Sequence, residues 1–62
     1  MENSAIEVLA ESEDFSVWRT QEPDGETTYH LELGLVTVHF FTEEWHEFLK
    51  LIGEAREHAA AR

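Results

Sequence analysis

Two apolar runs of period two, Tyr29/Leu31/Leu33 and Val36/Val38/Phe40, stand at the centre of the chain, and the pattern then turns helical. Strict alternation is the signature of a strand that buries one face. Gly34 separates the two runs, and Gly34-Leu35 fits a two-residue turn with glycine first, the type II′ arrangement. Upstream, Phe15 to Thr20 (FSVWRT) reads as another strand. Pro23-Asp24-Gly25 lies between it and Tyr29 and is a turn signal. Proline presets φ, aspartate bonds to the backbone ahead, and glycine takes the left-handed position.

These turns predict a register. A three-residue loop at 23–25 sets Glu22 opposite Glu26, and counting back places Arg19 opposite Tyr29, Val17 opposite Leu31 and Phe15 opposite Leu33. The turn at Gly34-Leu35 pairs Leu33 with Val36, Leu31 with Val38 and Tyr29 with Phe40. Both assignments put the same residues on the same side, and a slip of one residue in either hairpin would destroy that agreement.

From Trp45 the spacing changes. Trp45, Phe48, Leu49, Ile52 and Ala55 form one helical stripe, widened by Leu51. Thr42 is the expected N-cap, with Glu43, Glu44 and Glu47 near the positive end of the dipole and Arg56, His58 and Arg62 near the negative end. Glu43, Glu47, Lys50, Glu54 and Glu57 fall on the opposite side. Gly53 either marks a close backbone approach or is simply tolerated, at about 1 kcal/mol relative to alanine. The stripe is expected to lie over Phe15, Val17, Leu31, Leu33, Val36, Val38 and Phe40, and truncating Phe48 there is expected to cost roughly 3–5 kcal/mol.

Residues 1–14 are ambiguous. Ser4 and Glu7 fit a capping box that would start a short helix. Ile6/Val8/Ala10 alternation fits a strand, which the β-branched Val8 favours. Glu11-Ser12-Glu13-Asp14 is a polar turn. The fold class is therefore α+β: an antiparallel meander of three strands, or four if 1–14 supplies one, with meander residues 15–41 and one C-terminal helix, 43–60, packed across one face. The whole chain, 1–62, is one small domain.

The same register predicts the uncovered face. Trp18, His30 and His39 share one transverse row, and Thr20, Thr28 and Phe41 the next. Ser16, Glu32 and Thr37 lie on the other side. His30 and His39 form a non-hydrogen-bonded pair with Cβ atoms about 5 Å apart. Aromatic residues and imidazoles on a face that should be polar suggest an interface made by Trp18, Phe41, His30, His39, Thr28 and Thr37, taken either by a second copy or by a partner protein. In an ordinary monomer, Trp18 would merely cover the imidazoles.

Composition narrows the function. Sixty-two residues bury only about 60% of their unfolded surface, and with no cysteine there is no disulfide or Cys-based zinc site to help. Fourteen acidic residues against four basic give a formal net charge of −10. That repels phosphate backbones and anionic membranes and attracts basic proteins. It also serves solubility, or adaptation to salt, although glutamate outnumbers aspartate twelve to two. MENSAIEVLA lacks the features of a signal peptide, and no run approaches a membrane span, so the cytoplasm is expected.

Two further readings use these residues. Glu43, Glu47, Glu54 and Glu57 along the helix, with Glu22, Asp24 and Glu26 at a hairpin tip, could imitate a nucleic-acid backbone in a basic groove. They are equally what a solvated helix face looks like. His30 and His39, with Glu32 nearby, are weak metal candidates that match no known ligand spacing, and the same pair could respond to pH. No nucleophile elbow, cysteine nucleophile, paired buried carboxylates or glycine-rich phosphate loop is present, so neither enzyme nor cofactor is expected.

Overall fold

A computed structural model describes residues 5–60, and it places turns at Pro23-Asp24-Gly25 and at Gly34-Leu35. At 22–26 the Glu22 N–H donates to Glu26 O at 2.7 Å and the Gly25 N–H to Glu22 O at 2.9 Å. Asp24 Oδ1 accepts from the Glu26 N–H at 3.0 Å. At the next turn the Leu33 N–H donates to Val36 O at 2.8 Å. Gly25 (φ 94°) and Gly34 (φ 85°) have left-handed backbones that a side chain would strain.

With a third turn at 12–15, where the Ser12 N–H donates to Phe15 O at 2.8 Å, these turns connect four strands: β1 (Ala5–Glu11), β2 (Ser16–Gln21), β3 (Thr27–Glu32) and β4 (Thr37–Phe41). They form one antiparallel sheet in the order β1-β2-β3-β4. The expected register holds: Val17 faces Leu31 and Arg19 faces Tyr29, while Tyr29 faces Phe40, His30 faces His39 and Leu31 faces Val38. The ambiguous N-terminal stretch supplies β1. Its capping alternative rests on Ser4, which lies outside the described residues, as does the expected dipole partner Arg62.

β1 departs from simple alternation. A bulge between Val8 and Ala10 sends Ile6 and Val8 to the face of Thr20 and Trp18, and Ala10 to the face of Val17. An extra residue in one strand shifts every later side chain to the other side of the pleat. On the helix side, Arg19 donates from Nε and Nη2 to Glu7 Oε1 at 2.9 and 2.7 Å.

The helix α1 (Thr42–Ala60) follows β4 directly. Thr42 is its first residue, and the capping contact belongs to Glu44, whose Oε1 accepts from the Phe41 N–H at 3.1 Å. That is the carboxylate half of a capping box. Trp45 stacks on Tyr29 (centroids 5.1 Å, planes 8° apart) and leans on Phe40 and Phe48. Tyr29 and Trp45, each 7% exposed, are the only buried hydrophobic residues among those described.

The helix therefore packs on β3 and β4 through its first two turns. Its expected coverage of the sheet stops there. From Leu49 onward every described helical residue is exposed, and so are Phe15, Leu33, Val36 and Val38 on the sheet. Nineteen residues make a helix of about 28 Å. The molecule measures 51 × 26 × 17 Å, with the distal helix clear of the sheet.

Candidate functional site

The side of the sheet away from the helix holds the row expected there. Cross-strand pairing brings Val8, Trp18, His30 and His39 into one line. The Trp18 indole stacks on the His30 imidazole with centroids 5.2 Å apart and planes 15° apart. His30 and His39 meet edge to face at 84°, with their Nδ1 atoms 2.8 Å apart. Thr20 Oγ1 lies 3.0 Å from His30 Nε2 and 3.1 Å from Glu22 Oε2.

These contacts set the direction of every proton in the chain. An ionised Glu22 carboxylate only accepts, so the Thr20 hydroxyl must donate to it. The Thr20 oxygen then accepts from His30 Nε2–H. Neutral His30 is left with a bare Nδ1, which accepts from His39 Nδ1–H. The result is a directed relay from His39 through His30 and Thr20 to Glu22. The geometry admits one extra proton, either on the unbonded Nε2 of His39 or, if His39 changes tautomer, on His30, but a second breaks the bond between the rings. Burial, followed by the neighbouring His39, holds His30 below the usual histidine value, and Glu22 opposes both.

The relay engages three of the pair's four ring nitrogens. The His39 Nδ1–H and the His30 Nδ1 lone pair are spent on each other at 2.8 Å, and Glu32 is paired across the strand with Thr37, one step away. Among the described residues no three His, Asp or Glu side chains are grouped to hold a metal ion.

Around this row the face mixes apolar residues with Ser16, Thr20, Thr28, Glu32 and Thr37. Ile6 (69% exposed) and Val8 (58%) flank Trp18 on one side, and Phe41 (60%) lies beyond His39 at the helix start. Ile6 and Val8 were not legible as part of this face, because only the β1–β2 pairing and its bulge assign them to it. Thr28 faces Phe41 and is half-buried, whereas Thr37 is exposed at the far end of β4.

The acidic residues are sorted by the fold. Glu22, Asp24 and Glu26 from the hairpin tip meet Glu43 and Glu44 from the helix start around a cleft of about 680 Å³, with Phe41 and Thr28 in its wall. Glu47 and Glu54 line a separate groove of about 620 Å³ between the helix and the edge of β4, together with Lys50, His39 and Leu51. Glu57 lies further along the exposed helix and joins neither. The expected acidic line is thus divided, and its first member belongs with the hairpin acids.

No helix of the described residues is long and apolar enough to cross a membrane. Comparison with family models, curated proteins and solved structures gave no significant match to this chain.

Proposed function

We propose that this chain is a non-enzymatic protein-interaction module of the cytoplasm. Its uncovered sheet face takes a partner protein with an apolar centre and a cationic rim. The observation that carries the reading is Phe41, exposed beside the Trp18–His30–His39 row and sharing a cleft with five carboxylates. An apolar patch with a charged border is the usual anatomy of a protein interface. The formal charge of −10 adds long-range attraction for a basic partner. The absence of cysteine is compatible with a reducing compartment.

The test is affinity capture with the immobilised chain, followed by titration of each purified captured protein against variants. Trp18→Ala and Phe41→Ala each weaken binding about tenfold or more, as central aromatic anchors do. Glu47→Gln, Glu54→Gln and Glu57→Gln combined change mainly the association rate and its salt dependence. Circular dichroism verifies that each variant is folded. Nucleic-acid mimicry makes the opposite forecast: the aromatic variants bind normally, and the triple glutamine variant does not bind. That outcome overturns the sheet-face reading.

A further inference from the structure

The helix side of the molecule is unfinished, and its two unfinished parts match. On the helix, Ile52 continues the line of Trp45 one step past the last sheet contact, with Leu49 beside it, and both are exposed. On the sheet, Leu33, Val36 and Val38 continue the surface that Trp45 and Phe48 begin to cover, and they too are exposed. The charged strand residues described on that side are Glu7 and Arg19, and they are bonded to each other at 2.7 Å.

The dimensions agree. A compact chain of 7.2 kDa has about 4,100 Å² of accessible surface, whereas this one has 5118 Å². The excess, about 1,000 Å², is close to the roughly 800 Å² each partner buries in a stable complex. The radius of gyration is 13.7 Å, against about 10.6 Å for a compact domain of this length.

We infer that a second copy of this chain covers the helix side. The distal helix of each copy lies on the open half of the other's sheet, so that Leu49 and Ile52 of one meet Leu33, Val36 and Val38 of the other. One two-fold axis satisfies both copies at once, because each carries the missing stripe and the bare surface. The surface used is different from the sheet face of the proposed partner site, which stays open on both sides of the dimer. Each copy carries ten net negative charges, so the dimer tightens as salt screens their repulsion. A complex with a basic partner loosens under the same change.

Sedimentation equilibrium across a micromolar-to-millimolar series tests this. The expected species has twice the 7.2 kDa chain mass, and its dissociation constant falls as salt rises. Ile52→Glu raises that constant at least about 100-fold, because the substitution acts twice in a symmetric interface. Its exposed position leaves the helix signal in circular dichroism intact. Val8→Glu, on the opposite face, leaves the mass unchanged. An isotope-filtered Overhauser experiment on mixed labelled and unlabelled chains then places Ile52 methyls against Val36 and Val38 methyls of the other copy. A monomer throughout the series overturns the inference. So does Ile52→Glu retaining the double mass, loss of the double mass in Val8→Glu, or finding those contacts only within one chain, which means the helix folds back on its own sheet.

Discussion

Trp45→Ala should remove the docking of the helix, and the cost can be worked from the packing. The indole is 7% exposed and stacks on Tyr29 at 5.1 Å. A buried aromatic of this size removes about 150–250 Å² from water, worth about 4–6 kcal/mol as an upper bound at 25 cal/mol per Å². Measured truncations of this kind cluster at about 3–5 kcal/mol. A chain of 62 residues has in total roughly 3–9 kcal/mol of stability, so the variant is at or beyond the edge of folding. Phe48, which the sequence nominated for that cost, is only half-buried against Phe40 and Trp45, and Phe48→Ala should cost about half as much. Urea melts followed by far-ultraviolet circular dichroism give both values. They must be compared at one protein concentration, since association of the folded state adds to apparent stability. A loss under about 1.5 kcal/mol for Trp45→Ala, or a larger loss for Phe48→Ala, would refute this account of the core.

Acid should destabilise the fold through His30. Its pKa is lowered in the folded state by burial and by His39, with Glu22 opposing. Below the free-histidine value of about 6.5 the unfolded chain therefore binds more protons, and stability declines as pH falls until His30 itself titrates. Proton NMR titration of the imidazoles checks this, and Glu22→Gln should push His30 lower still; a His30 titrating above free histidine contradicts the relay. Gly34→Ala should cost about 1 kcal/mol, because φ 85° is strained for alanine although nothing lies within 4 Å of the added carbon. Gly53→Ala should stabilise by about 0.5–1 kcal/mol, since that site has open space and no left-handed backbone. Thermal melts that rank these two glycines the other way would refute the turn assignment.

The strand register was legible in the sequence for a local reason. Each hairpin turn has only a few low-energy geometries, and Pro23-Asp24-Gly25 and Gly34 select among them within a handful of residues. Once the register is set, alternation places Trp18, His30 and His39 on one side without further information. The position of β1 was not legible, because its bulge depends on pairing with β2 and leaves no mark in composition. The hydrogen bond between the imidazoles was likewise invisible, since side-chain rotamers answer to Thr20 and Trp18 together.

The extent of helix packing belongs wholly to the tertiary structure. Periodicity says that Leu49 and Ile52 share a stripe with Trp45, but an apolar stripe is the same whether it faces its own sheet, a second copy or water. The exit of the chain from β4 into α1 at Thr42 sets the helix direction, and that direction takes the stripe past the sheet after two turns. Local chemistry thus determined the strands, their turns and the row of Trp18, His30 and His39. Only the packing of whole elements decided that Tyr29 and Trp45 would be buried while Leu33, Val36, Val38, Leu49 and Ile52 stayed exposed, because burial depends on contacts between residues far apart in the chain.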